Sequence, residues 1–123
     1  LWMVDPTTLP SNTLEEIDGI IDPHSVYPGN NLPDETIGQR YLIIDEVGQS
    51  IAWNGLTANE NDIIQYNGNE WVVVFDSNEN KGNIEYVVNK HTGKQLKWNK
   101  KEWIFSIDGV YNEGEYRIFL CPT

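Results

Sequence analysis

The stretch Tyr66–Trp71 reads YNGNEW, and thirty-two positions further on Trp98–Trp103 reads WNKKEW. Asn-Gly favours the positive φ angles that tight hairpin turns require. Asn67 and Gly68 therefore predict a turn, with Tyr66 and Trp71 as near cross-strand neighbours. Such aromatic pairs contribute about 0.2–1 kcal/mol beyond alanine. In the second stretch Asn99 keeps the turn, Trp98 and Trp103 supply the pair, and Lys100 stands where Gly68 stood. The correspondence runs outward: Ile64 matches Leu96, Glu70 matches Glu102 and Val72 matches Ile104. This predicts two copies of one hairpin, with IAWNG at 51–55 as a third, partial copy. Repetition at this period is typical of stacked hairpin units.

Around these hairpins, the chain from Gly38 onward is a series of short apolar runs. RYLIID, SIAW, DIIQY, WVVVF, NIEYVV, KQLKW, WIFSI and EYRIFL are each bounded by Asn, Gly, Asp or Lys clusters. Such punctuation predicts an all-β fold, an antiparallel meander of about eight short strands closed as a small sandwich or barrel. Alternation places Trp71, Val73 and Phe75 on one face, as it does Trp103, Phe105 and Ile107, and Tyr116, Ile118 and Leu120. At 123 residues the chain fits one domain and buries roughly two-thirds of its unfolded surface without staples.

Residues 1–37 read differently, as an extended, Pro-rich, acidic arm preceding a β-meander domain at 38–123. Pro6, Pro10, Pro23, Pro28 and Pro33 all fall there, and proline removes a backbone donor and restricts the residue before it. The TLEE at 13–16 has the capping-box pattern of one helical turn, soon ended by Gly19. The arm is expected to lie over a neighbouring surface, in this chain or on a partner. The opening LWMVDPTTLP has no basic residue ahead of an apolar run, unlike a secretory signal. Its Leu start predicts a piece of a longer or processed chain.

Charge narrows the partners. The net charge is −11, with 11 acidic side chains and one basic in residues 1–62, and 8 acidic and 7 basic in residues 63–123. The acidic half repels phosphates and anionic lipid, which argues against duplex nucleic acid and for a basic partner surface. No apolar run approaches the ~20 residues of a membrane helix, so no membrane insertion is expected. The single cysteine, Cys121, forms no internal disulfide and has no base nearby in sequence.

No catalytic or cofactor motif stands out, so the expectation is a protein that is not an enzyme and carries no cofactor or metal. His24 and His91 are too far apart in sequence to form a characteristic zinc pattern. In DSNENKGNIE, Asp76, Asn78 and Asn80 fit the first ligands of a calcium loop. However, Lys81 sits where glycine is needed and Val87 where a bidentate glutamate is needed. The stretch reads instead as a flexible hairpin loop. Lysines 90, 94, 97, 100 and 101 read as a solvated edge that discourages strand pairing. Aromatic residues are the remaining binding chemistry. Trp53, Tyr66 and Trp98 each neighbour a turn asparagine and are the candidates for exposed binding rings, beside the reading that they pack across hairpins.

LPDETIGQRYLI, IAWNG, NDIIQYNGNEWVVVFDS and KWNKKEWI together resemble modules of tail, neck and baseplate proteins of tailed bacteriophages. The matching positions are Pro33, Gly38, Arg40, Tyr41, Ile43, Tyr66, Asn67, Gly68 and Trp71, and the resemblance spans residues 33–105. It implies a non-enzymatic virion structural or assembly module, put together in the host cytoplasm. Its partners would be other virion proteins or further copies of itself. NDIIQYNGNEW also resembles the core of small chitin- and cellulose-type binding modules. That resemblance implies the alternative: a carbohydrate-binding module whose partner is a bacterial surface glycan.

Overall fold

A computed structural model describes residues 10–106 of the chain. Those residues are all-β, with nine strands in three open sheets and no closed barrel. Strands β1 (Gly19–Ile21), β2 (Arg40–Ile43), β5 (Ile63–Tyr66) and β6 (Trp71–Phe75) form one sheet in the order β1-β2-β5-β6. Between β2 and β5 the chain leaves to make the hairpin β3 (Val47–Gly48) and β4 (Thr57–Ala58). The third sheet is β7 (Glu85–Asn89), β8 (Lys94–Trp98) and β9 (Trp103–Phe105), paired in chain order. EYRIFL, Ile107 and Cys121 lie outside the described residues.

The four-stranded sheet is covered on both faces. Tyr41, Ile43, Ile64 and Trp71 pack on one side with Val47, Trp53, Leu56 and Ala58 of the β3–β4 excursion. On the other side Leu42, Ile63 and Phe75 pack with Val87, Leu96 and Trp98 of the three-stranded sheet. Strand β2 thus buries alternate side chains in two cores, which explains the unbroken apolar run YLI.

Phe75 corrects the expected alternation. Trp71 and Val73 share the first core, but Phe75 sits in the second. The pairing shifts between Ile63 and Ile64: Ile64 opposes Val73, while Ile63 opposes Phe75. Val74 is the extra residue of a β-bulge and is exposed. One unpaired residue turns the rest of the strand over, because side-chain direction has a period of two.

The proline-rich segment, over its described residues 10–37, lies on a surface of this same chain. Ile17 is fully buried in the second core. Its N–H donates to Val88 O at 2.9 Å and its carbonyl accepts from Lys90 N at 2.8 Å. Two residues later β1 pairs parallel with β2, an exception to the antiparallel expectation. The segment therefore runs from the edge of β7 to the edge of β2 and joins the two larger sheets. TLEE forms no helical turn. Thr13 N–H donates instead to Tyr86 O at 2.9 Å, and its hydroxyl oxygen accepts from Tyr86 N at 2.8 Å. A sheet edge outcompetes an isolated turn, which nucleates poorly alone.

Two further expectations change. SIAW is not a strand, and IAWNG is not a third hairpin copy. Ile51–Trp53 is a 3-10 turn inside the β3–β4 loop, begun by Ser50, whose hydroxyl oxygen accepts from Ala52 N. It ends at Asn54 in the left-handed region. A four-residue apolar run does not by itself distinguish strand from turn. DSNENKG is not a hairpin loop, because β6 and β7 belong to different sheets. Asp76 caps the 3-10 turn Ser77–Asn80 by accepting from the N–H groups of Asn78 and Glu79.

Candidate binding surface

Gly38, Tyr41, Tyr66 and Trp71 come together in space. Gly38, at φ 93°, turns the chain into β2, and its N–H donates to Tyr66 O at 2.9 Å. Tyr66 N in turn donates to Gln39 O at 2.9 Å. Trp71 is the centre of an aromatic cluster, 5.9 Å from Tyr41, 5.4 Å from Tyr66 and 5.3 Å edge-on from Trp53. Tilted and edge-on contacts of this kind add roughly 0.5–1.5 kcal/mol each beyond area burial. Gln39 Nε2 donates to the Tyr41 hydroxyl at 2.8 Å. Burial raises the Tyr41 pKa above its ordinary value, opposed by the Gln39 hydrogen bond and aided by Asp18.

Arg40 is buried on the opposite face of β2. Its Nη1 donates to Gln65 Oε1 at 2.6 Å, across the register pair Arg40–Gln65. Desolvation lowers its pKa, while Glu15 and Asp18 pull the other way. Asp18 also accepts from the Arg40 backbone N–H at 3.0 Å. Arg40 Nε is buried with no hydrogen-bond partner among the described residues. The guanidinium thus balances the acidic 15–18 segment that joins the sheets, a structural use of the only basic residue in the first half.

Of the three candidate rings, two are inside. Trp53 is 1% exposed and Trp98 0%, while Tyr66 is half-buried. The exposed side chain of the IAW turn is Ile51, at 97%. A polar signal accounts for the buried rings. Each described tryptophan donates its indole N–H to a loop: Trp53 to Pro23 O at 2.8 Å, and Trp71 to Glu35 Oε2 at 2.7 Å. Trp98 donates to Asn80 O at 2.8 Å and Trp103 to Asn61 O at 3.0 Å. A buried indole requires such an acceptor. These tryptophans therefore tie loops to the cores.

An apolar concavity lies elsewhere. A groove of about 550 Å³ runs between β1 and β9, lined by Ile20, Ile21, Ile44, Trp103 and Phe105 with Leu42 among its apolar contacts. Ile20 and Ile44 are large exposed apolar side chains. His91 and Lys94 also line it. Sequence reasoning missed this surface because Gly19–Ile21 sits in the segment read as an arm. The apolar pair Ile20–Ile21 was the available signal. His24 is spent locally, with Nε2 2.8 Å from Glu46 O and 3.5 Å from Asp45. Among the described residues no three His, Cys, Asp or Glu side chains form a metal-binding group.

The lysines divide. Lys90 lies 3.6 Å from Glu16 and 3.5 Å from Asp18. Lys94 lies over the Phe105 ring at 5.5 Å. Lys94 and Lys97 belong to β8, the central strand of its sheet, so these two do not guard an edge.

Comparison with family models, with curated proteins and with solved structures gives no match. The functional reading rests on the residues and their arrangement.

Proposed function

We propose that the chain is a non-enzymatic structural module of a tailed-phage virion, binding neighbouring protein subunits. The observation that carries this reading is the convergence of the resembling positions. Gly38, Tyr41, Tyr66 and Trp71 are scattered over more than thirty residues, yet they form one bonded aromatic unit. Positions that fold as one unit support the resemblance more than isolated hairpin letters do. The partner surface suits this role. The groove between β1 and β9 is apolar and open, and among the described residues strands β6 and β9 are terminal in their sheets. Extended segments of a partner add to such edges. The acidic first half favours a basic partner, with association that weakens as salt rises.

The glycan-binding alternative loses two of its three rings, since Trp53 and Trp98 are buried. The test takes the purified protein against two panels. Native mass spectrometry with tail, neck and baseplate proteins of a tailed phage should give a saturable complex that weakens with salt. Tryptophan fluorescence during titration with bacterial surface polysaccharides should stay flat. A saturable polysaccharide response, with no virion protein bound, would replace the assembly reading by the glycan one.

A further inference from the structure

We infer that Asn67 is a self-modification site, where its side-chain amide is lost to the backbone nitrogen of Gly68. Asn-Gly occurs twice in the chain, at 54–55 and 67–68. Hydroxide removes the Gly68 amide proton, and the nitrogen attacks Asn67 Cγ. A new N–Cγ bond forms and negative charge gathers on Oδ1. The Cγ–Nδ2 bond then breaks, and the leaving nitrogen takes a proton from water, departs as ammonia and restores the hydroxide. Water opens the resulting succinimide at either carbonyl, leaving aspartate or isoaspartate. Water is the only co-reactant.

The first hairpin is arranged for this step. Asn67 Oδ1 accepts from Asn69 N at 2.9 Å and from Glu70 N at 2.9 Å. Both donors are already aimed at the atom on which charge develops, the arrangement that stabilises an oxyanion. Among the described residues the Gly68 N–H makes no hydrogen bond. Glycine also has no Cβ to crowd the attack, and Asn67 is exposed to water. At the other Asn-Gly, the Gly55 N–H donates to Ser50 O at 2.9 Å, so that nucleophile is engaged.

The second hairpin is a built-in control. Asn99 Oδ1 accepts from Lys101 N at 3.0 Å and Glu102 N at 2.9 Å, the same pair of donors. Its attacking nitrogen belongs to Lys100, whose side chain hinders approach. Modification at Asn67 would be one-way and confined to the first hairpin. Isoaspartate inserts a methylene into a loop closed by the Asn67 N–H to Glu70 O bond, 3.0 Å long.

The test is incubation of the folded protein in mildly alkaline buffer, followed by peptide mass spectrometry. Each event adds about 1 Da, the exchange of NH for O. Asn67 should react at least about tenfold faster than Asn54 or Asn99, since only its attacking nitrogen both lacks a hydrogen bond and belongs to a residue without a Cβ. Lys100→Gly, which retains the turn, should bring Asn99 up to the rate of Asn67. Unfolded in denaturant, Asn54 and Asn67 should react at similar rates. Equal rates at Asn54 and Asn67 in the folded chain, or an Asn99 that stays inert in Lys100→Gly, would overturn the inference.

Discussion

The hairpins β5–β6 and β8–β9 begin alike and then diverge. Tyr66 opposes Trp71 as Trp98 opposes Trp103, with ring centroids 5.4 and 5.5 Å apart and both pairs tilted by 51°. Gln65–Val72 and Ile64–Val73 correspond to Lys97–Ile104 and Leu96–Phe105. Both turns close with an Asn N–H to Glu O bond of 3.0 Å. Beyond the third pair, β6 bulges at Val74 and sends Phe75 to the opposite core. The β8–β9 ladder stays regular, and Ser106 N donates to Gln95 O at 3.1 Å. The turn is thus set by local chemistry. The far end of each hairpin is set by what it packs against: two cores for β6, and for β8 the segment at 10–12, held by Gln95 Nε2.

The comparison breaks most severely at its aromatic pairs. Trp98→Ala should cost about 3–5 kcal/mol in urea unfolding, because a fully buried ring and its bond to Asn80 are lost. Tyr66→Ala, at the equivalent but half-buried position, should cost about half that. Equal losses would mean the two hairpins carry the same load.

The turns come next. Gly68 sits at φ 102°, and an added Cβ would lie 3.1 Å from Ile37. Gly68→Ala should therefore lose about 1–2 kcal/mol, measured by the same unfolding experiment. Lys100 occupies the same place with φ 84°, where an L side chain is strained. Lys100→Gly should gain about 0.5–1 kcal/mol, the relief of strain less the added freedom of the unfolded chain. A loss on Lys100→Gly would show that the lysine makes a contact worth more than its strain.

The smallest effect separates the cores. The first contains a titratable ring, Tyr41, whose raised pKa favours the neutral form in the folded state. Its contribution is fully present below the unfolded tyrosine value of about 10 and lost as pH rises through the higher folded value. Thermal unfolding should show a decline in stability above that pH, and Tyr41→Phe should flatten it. An unchanged alkaline limb in Tyr41→Phe would place the sensitive group elsewhere.

The two turns, the strand-rich character and the cross-strand aromatic pairs were readable from residue order, because they depend on neighbours within a few positions. Asn-Gly chemistry and period-two alternation are local, and they placed Tyr66 against Trp71 and Trp98 against Trp103. Only the tertiary structure decided which rings were buried. Trp53 and Trp98 sit beside polar turn residues, yet Pro23 O and Asn80 O reach them from distant loops. It also decided the bulge at Val74, the parallel strand Gly19–Ile21 and the groove beside it. Each depends on two surfaces meeting across tens of residues, which no local pattern encodes.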